Sequence, residues 1–294
     1  MTTGQPILVT GATGATGGYT IHALTELDVS IRAMVRKDDD RAARLRTAGV
    51  EVVLGDLLDL DSVRAAMEGV SAAYFVYPLL PGLIDATAYF AQAGHEAGLH
   101  GIVNMSQVSA RRDSKSHQAR DHWISERVFD WSGVPITHLR PTFFAQWLTY
   151  PRVHQDIVQK GQINLPFGDA RHAPIAAEDQ ARVIAAILAN PVPHSGKTYR
   201  LFGPVEMDEH GVAKAVGEAL GREVIYNPIG IADFRRQLEQ FSLPEQTIQH
   251  LCAVALDFQE GLFAGTNDVI ETITGTPPMT VQSFIAAHRA EFSG

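Results

Sequence analysis

The chain has 294 residues, 45% of them apolar, with 33 acidic against 24 basic side chains and a formal net charge of −9. That length and apolar share suit one large or two smaller globular domains, and the negative balance, with no long basic run, excludes phosphate-backbone binding as a main activity. The single Cys252 excludes an internal disulfide framework, no apolar run approaches the roughly 18 residues of a membrane span, and the first strand starts without an apolar leader. A cytoplasmic protein with no direct nucleic-acid partner and no membrane association is expected.

Pro6-Ile7-Leu8-Val9 reads as a buried strand that breaks into Thr10-Gly11-Ala12-Thr13-Gly14-Ala15-Thr16-Gly17-Gly18, and a helical stretch runs from Tyr19 to Leu27. Between a strand and a helix, such a glycine loop serves to bind a dinucleotide. Gly11 permits the tight turn, Gly14 lets backbone approach a pyrophosphate, and Gly17 lets the helix pack on the sheet. The helix N-terminus then offers unpaired N–H groups to the phosphates. Thr13, Ala15 and Thr16 belong to the same candidate phosphate loop. The interval is G-x-x-G-x-x-G, one residue longer at its start than the usual fingerprint.

Further strands are expected at Val29 to Val35, Val50 to Leu54, Ala72 to Tyr77, Gly101 to Met105 and Pro135 to Leu139. Helices are expected from Asp61 to Met67, Ile84 to Ala97 and about Ala119 to Ser132, with a charged helix start after Val35. Short apolar strands alternating with amphipathic helices specify an α/β, Rossmann-type doubly wound parallel sheet. Beyond Phe144 the rhythm loosens. Gly161 to Gly168 reads as turn-rich, Glu178 to Leu188 as a helix, Lys197 to Phe202 as a strand and Glu209 to Leu220 as a helix. The expected division is a dinucleotide-binding domain over 1–150 and a smaller α+β substrate lobe over 151–294, with some segments returning to the main sheet.

At the end of the second strand an acidic residue accepts from the ribose 2′-hydroxyl of NAD, whereas an arginine accommodates the 2′-phosphate of NADP. Arg36 and Lys37 stand there and favour NADP(H), although a carboxylate of Asp38-Asp39-Asp40 could reach an NAD ribose and NAD(H) stays open. Asp56 and Leu57, after the third strand, are placed to touch the adenine, with a plain helix N-cap as the alternative for Asp56.

With the loop Gly11 to Gly17, Arg36, Gly55-Asp56 and Ser132-Gly133-Val134-Pro135-Ile136-Thr137-His138-Leu139-Arg140-Pro141-Thr142-Phe143-Phe144 in order, the chain resembles the NmrA-like, atypical short-chain dehydrogenase/reductases. It looks most like the bacterial branch with triphenylmethane reductase, NADPH:quinone reductase and azoreductase-like members. Phe167-Gly168-Asp169, Asp179-Gln180-Ala181 and Thr274-Gly275-Thr276-Pro277-Pro278 extend the resemblance nearly end to end. It implies that Val76-Tyr77-Pro78 and Pro141-Thr142-Phe143-Phe144 line a nicotinamide pocket.

Ordinary short-chain dehydrogenases use a Tyr-x-x-x-Lys pair as proton relay, and no tyrosine here has a lysine four positions later. His122 and Glu126 lie one helical turn apart, either as a proton-delivering pair or as a polar pair on a helix face. Met105 and Ser106, at the end of the fifth strand, are candidate cofactor contacts. Ser106 also stands where such enzymes keep a catalytic serine, and Gln107 and Ser109 are candidates for substrate. Phe144, Trp147 and Tyr150 suit a flat apolar ligand. The expected activity is NAD(P)H-dependent reduction of an electron-poor aromatic small molecule, by a monomer or homodimer. The alternative is a dinucleotide-binding sensor acting through a protein partner. No metal site is expected.

Overall fold

Short, largely apolar strands followed by helices set the order of elements in the computed structural model, which describes residues 4–292. One unit comprises residues 4–112, 120–140 and 180–199, and the other comprises 113–119, 141–179 and 200–292. The elements from the start to residue 141 are β1 (Ile7–Val9), α1 (Ala15–Glu26), β2 (Ile31–Val35), α2 (Asp40–Thr47), β3 (Glu51–Leu54), α3 (Leu60–Met67), β4 (Ala72–Phe75), α4 (Leu83–Ala97), β5 (Gly101–Met105), α5 (His117–Trp131) and β6 (Ile136–Pro141). Then come α6 (Pro151–Lys160), β7 (Gln162–Leu165), α7 (Ala177–Ala189), β8 (Lys197–Leu201), α8 (Glu209–Leu220), β9 (Ile225–Pro228), α9 (Ile231–Gln240), α10 (Glu245–Gln259), α11 (Val269–Thr274) and α12 (Val281–Ala287).

In the first unit the sheet order is β3-β2-β1-β4-β5-β6-β8, of which β8 contributes residues 197–199. The pairs from β3 through β6 are parallel. Every residue of β1 and of β4 is buried, the mark of strands covered on both faces. Order reverses between β1 and β4, and the carboxyl ends of strands at such a switch point leave a crevice for ligand. The core beneath is built on Phe75, Phe90 and Phe129, all fully buried, with ring centroids 4.9 Å (Phe75–Phe90) and 5.2 Å (Phe75–Phe129) apart.

Helix α1 begins four residues earlier than the stretch from Tyr19. Two glycines lower the intrinsic helix propensity of Ala15-Thr16-Gly17-Gly18, but packing overrides it. A Cβ on Gly17 would lie 2.2 Å from the Gly11 carbonyl oxygen and 3.0 Å from Ala12 Cα. Only glycine permits that approach of helix to loop.

The second unit holds the segment expected to be turn-rich, and it contains strand β7, which pairs parallel with β9 through Gln162 to Leu165 and Ile225 to Pro228. Gly161 and Pro166-Phe167-Gly168 punctuate it so closely that four strand residues read as turn. The pairing is held by side chains remote in sequence: Asn227 donates to Asn164, which donates to Asp156. Among the described residues no helix is long and apolar enough to cross a membrane.

Candidate dinucleotide-binding site

A cavity of about 540 Å³ opens at the carboxyl ends of β1 to β4, within the first unit. Four of the predicted phosphate-loop residues, Gly11, Thr13, Gly14 and Thr16, line it. Ala15 and Gly17 lie in the first turn of α1, Ala15 exposed and Gly17 buried against the loop. Gly11 has φ +59°, and a Cβ there would fall 2.5 Å from Val76 Cγ1. Gly14 is the α1 N-cap and supplies no side chain, so the first N–H groups of the helix carry no side-chain cap. Thr10 fastens loop to sheet, its Oγ1 donating to Tyr74 O at 3.0 Å and accepting from Val76 N at 2.9 Å.

Arg36 and Lys37 reach the cavity from the end of β2. A third cation, Arg41, lines it too and was missed by sequence reading, because only the first turn of α2 carries it back to the end of β2. The acidic run beside them is spent on structure. Asp39 caps α2, accepting from Arg41 N and Ala42 N, and also takes the Arg41 guanidinium, whose hydrogen bond holds its carboxyl down at about 2. Asp38 accepts from Arg46 at 2.6 Å. None of Asp38, Asp39 and Asp40 lines the cavity.

Asp56 and Leu57 line it as expected for an adenine contact, joined by Leu58. The N-cap alternative for Asp56 fails. The cap of α3 is Asp59, which accepts from Asp61 N and Ser62 N, while Asp56 closes a turn on Leu58 N at 2.9 Å. Val76, Tyr77 and Pro78 form the β4 side. The Tyr77 hydroxyl donates to Pro81 O at 2.8 Å, and burial, reinforced by the charge of Asp56, raises the phenol above its usual range.

At the end of β5, Ser106 is buried and donates its hydroxyl proton to Glu126 Oε1 at 2.6 Å. Arg140 grips the same carboxylate with Nε on Oε1 at 2.8 Å and Nη2 on Oε2. His122 is buried on α5, one turn from Glu126, but the carboxylate is committed to Ser106 and Arg140. Sequence reading weighed Glu126 only against His122. Ser106 and Arg140 lie 20 and 14 positions away, and nothing local announces them, while the neighbouring Arg127 Nη2 stands 3.6 Å from Oε2. Met105 accepts at sulfur from Gln180 Nε2 at 2.7 Å, and Gln107 is half-buried beside Ser106. Ser109 is fully buried, its hydroxyl without a hydrogen-bond partner among the described residues.

In the second unit, Pro141 closes β6 and Thr142 N donates to Leu201 O at 3.0 Å. Phe143, expected in a nicotinamide pocket, is instead core. It packs on Phe167, Phe258 and Phe263 at centroid distances of 5.0, 5.4 and 4.8 Å, because burying an aromatic ring among others outweighs leaving it at a rim. Phe144 is half-buried, and Trp147 stacks on Tyr150 at 5.8 Å with Tyr150 46% exposed.

Comparison with known proteins gives one consistent result. Residues 3–279 match the model of the NmrA-like family. The NAD(P)H azoreductase of Xenophilus azovorans is 30% identical over 97% of this chain and 99% of its own length. Among solved structures, the NADPH-dependent quinone oxidoreductase of Escherichia coli complexed with NADPH superposes with a TM-score of 0.85 at 24% identity, covering 96% of this chain and 99% of that one. The Citrobacter sp. triphenylmethane reductase complexed with NADP(H) gives 0.83 at 24% identity and the same coverage.

Proposed function

We propose that this chain, which belongs to the NmrA-like family, is an NAD(P)H-dependent reductase that passes hydride to an electron-poor, planar small molecule such as a quinone, azo compound, imine or arylmethane cation. The observation that carries the reading is the cavity at the switch point, with its glycine cradle and a rim of three cations. The residues fit a dinucleotide. Gly11, Gly14 and the uncapped start of α1 take the pyrophosphate, Asp56 and Leu57 the adenine end, and Arg36, Lys37 and Arg41 a 2′-phosphate. NADPH is therefore the preferred form. Similarity to an azoreductase, a quinone oxidoreductase and a triphenylmethane reductase supports the acceptor class.

When bound, the nicotinamide supplies the hydride, and the protein supplies position and surroundings. Val76, Tyr77 and Pro78 bound the crevice beside β4, where the Tyr77 hydroxyl, its pKa raised by burial, donates to Pro81 O. The chain has no Tyr-x-x-x-Lys pair. An acceptor that is already electron-poor needs little acid catalysis, so His122 assists at most modestly.

The deciding experiment offers stereospecifically deuterated NADPH with a panel of quinones, azo dyes, imines and enones. Label is expected in at least one product. If no acceptor gains label while the protein still binds the cofactor, the reductase reading falls and a redox sensor acting through a protein partner replaces it. His122→Ala should slow turnover by less than the roughly 10²–10⁴-fold that loss of a general acid-base residue costs. A larger loss with binding unchanged would make His122 the proton donor.

A further inference from the structure

An acidic side chain after the second strand of such a sheet ordinarily accepts from the ribose 2′-hydroxyl of NAD. Asp39 stands in that region, yet it does not line the cavity, and its carboxylate is turned to other partners. Oδ1 accepts from Arg41 N at 2.9 Å and from Ala42 N, which fixes the carboxylate as the N-cap of α2. Oδ2 accepts from the Arg41 guanidinium, from Nη2 at 2.6 Å and from Nε at 3.1 Å. The neighbouring Asp38 accepts from Arg46 and does not compete for Arg41.

The Arg41 side chain is 54% exposed, and a solvated ion pair contributes little to stability. Its consequence is orientation. A free arginine samples many rotamers and gives them up when it binds an anion. Here that loss is taken on folding, because two backbone N–H groups hold Asp39 and Asp39 holds the Nε–Nη2 edge of Arg41. Nη1 has no hydrogen-bond partner among the described residues and stays open to a ligand. Arg41 itself lines the cavity, and Arg36, Lys37 and Arg41 are the cations among the described residues that do. An anionic group at this rim is met by these three.

We infer that Asp39 is a positioning residue for recognition of the 2′-phosphate of NADPH, acting through Arg41, whose guanidinium it holds at the cavity rim. The inference rests on the dinucleotide reading above. It reverses the usual meaning of an acid after the second strand, since this one favours the phosphorylated cofactor. A role through charge alone has the opposite sign, because a carboxylate repels a phosphate. In an exposed, screened setting that repulsion is weak, so orientation decides.

The test measures, by calorimetry, the affinities of adenosine 2′,5′-bisphosphate and adenosine 5′-monophosphate, which differ only in the 2′-phosphate. Wild type should favour the bisphosphate by roughly 10-fold or more, the worth of a charge-assisted hydrogen bond. Asp39→Asn keeps an N-cap of equal quality for α2 and removes the charged fork. It should lower the ratio by roughly 2- to 10-fold, the range for immobilising one long side chain, with the monophosphate affinity unchanged. Arg41→Ala should lower the ratio as well, and adding Asp39→Asn to it should change nothing further. A ratio that stays level or rises in Asp39→Asn overturns the inference, as does an Asp39→Asn effect that persists without Arg41. Equal wild-type affinities for the two probes overturn 2′-phosphate recognition and this inference, leaving hydride transfer from NADH. Failure of wild type to bind either probe or NADPH overturns the dinucleotide reading itself.

Discussion

Single atoms decide what the phosphate loop tolerates. Gly14 and Gly17 look alike in the sequence but face different obstacles, since a Cβ on Gly14 meets only the Gly11 oxygen at 3.2 Å whereas one on Gly17 is driven to 2.2 Å. Gly17→Ala should therefore cost stability, about 1–3 kcal/mol as for other overpacked sites, seen as a lower midpoint in urea. Gly14→Val should leave that midpoint near wild type and abolish dinucleotide binding, because the branched side chain fills the path of the pyrophosphate. Retained affinity in folded Gly14→Val would mean that the phosphates lie elsewhere. On the rim, Arg36→Ala should weaken NADPH by about 1.5–3 kcal/mol, the worth of a charge-assisted hydrogen bond, and leave NADH unchanged. Equal affinity of wild type for the two cofactors by calorimetry would remove the basis for that preference. These residues were legible because their chemistry is local. Arg41 was not, since a helix start had to bring it back to the end of β2.

Caps and buried polar groups govern the elements. The N-cap of α3 is Asp59, not Asp56, so Asp59→Ala should destabilise by about 0.5–2 kcal/mol. Asp56→Ala should cost less in stability and weaken binding of the adenosine end instead, and the reverse pattern in paired denaturation and binding curves would return the cap to Asp56. In the second unit, α10 carries buried His250, whose Nδ1 lies 2.8 Å from Ser116 Oγ. Burial pushes its imidazole down to about 4, with the charge of Asp257 partly opposing. The unfolded chain takes up this proton near the ordinary value of 6.5 and the folded chain only near 4, so in that window the unfolded state holds more protons. Stability should fall as pH drops from about 6.5 to about 4 and show no His250 contribution above it. His250→Asn should flatten this part of the melting-temperature profile, and an unchanged slope would locate the titration in another group.

At the scale of the whole molecule, ligand linkage offers a test independent of turnover. NADPH at 100 times its dissociation constant should stabilise the fold by about 2.7 kcal/mol, raising the melting temperature, and a flat thermal shift would argue against a preformed site. The amino-acid sequence by itself determined the alternation of strand and helix through β6, the parallel sheet, the glycine loop and the cations after β2. Each of these is written in neighbours or in short periodicity, and burial on both faces of a strand leaves its mark in composition. Tertiary structure alone decided the rest. It joined Ser106, Glu126 and Arg140, drew Phe143 into an aromatic core, and paired β7 with β9. Contacts between residues tens of positions apart depend on how the chain closes in space, and the buried Glu126 carboxylate finds the Arg140 guanidinium only after the helix and the strand that carry them have packed together.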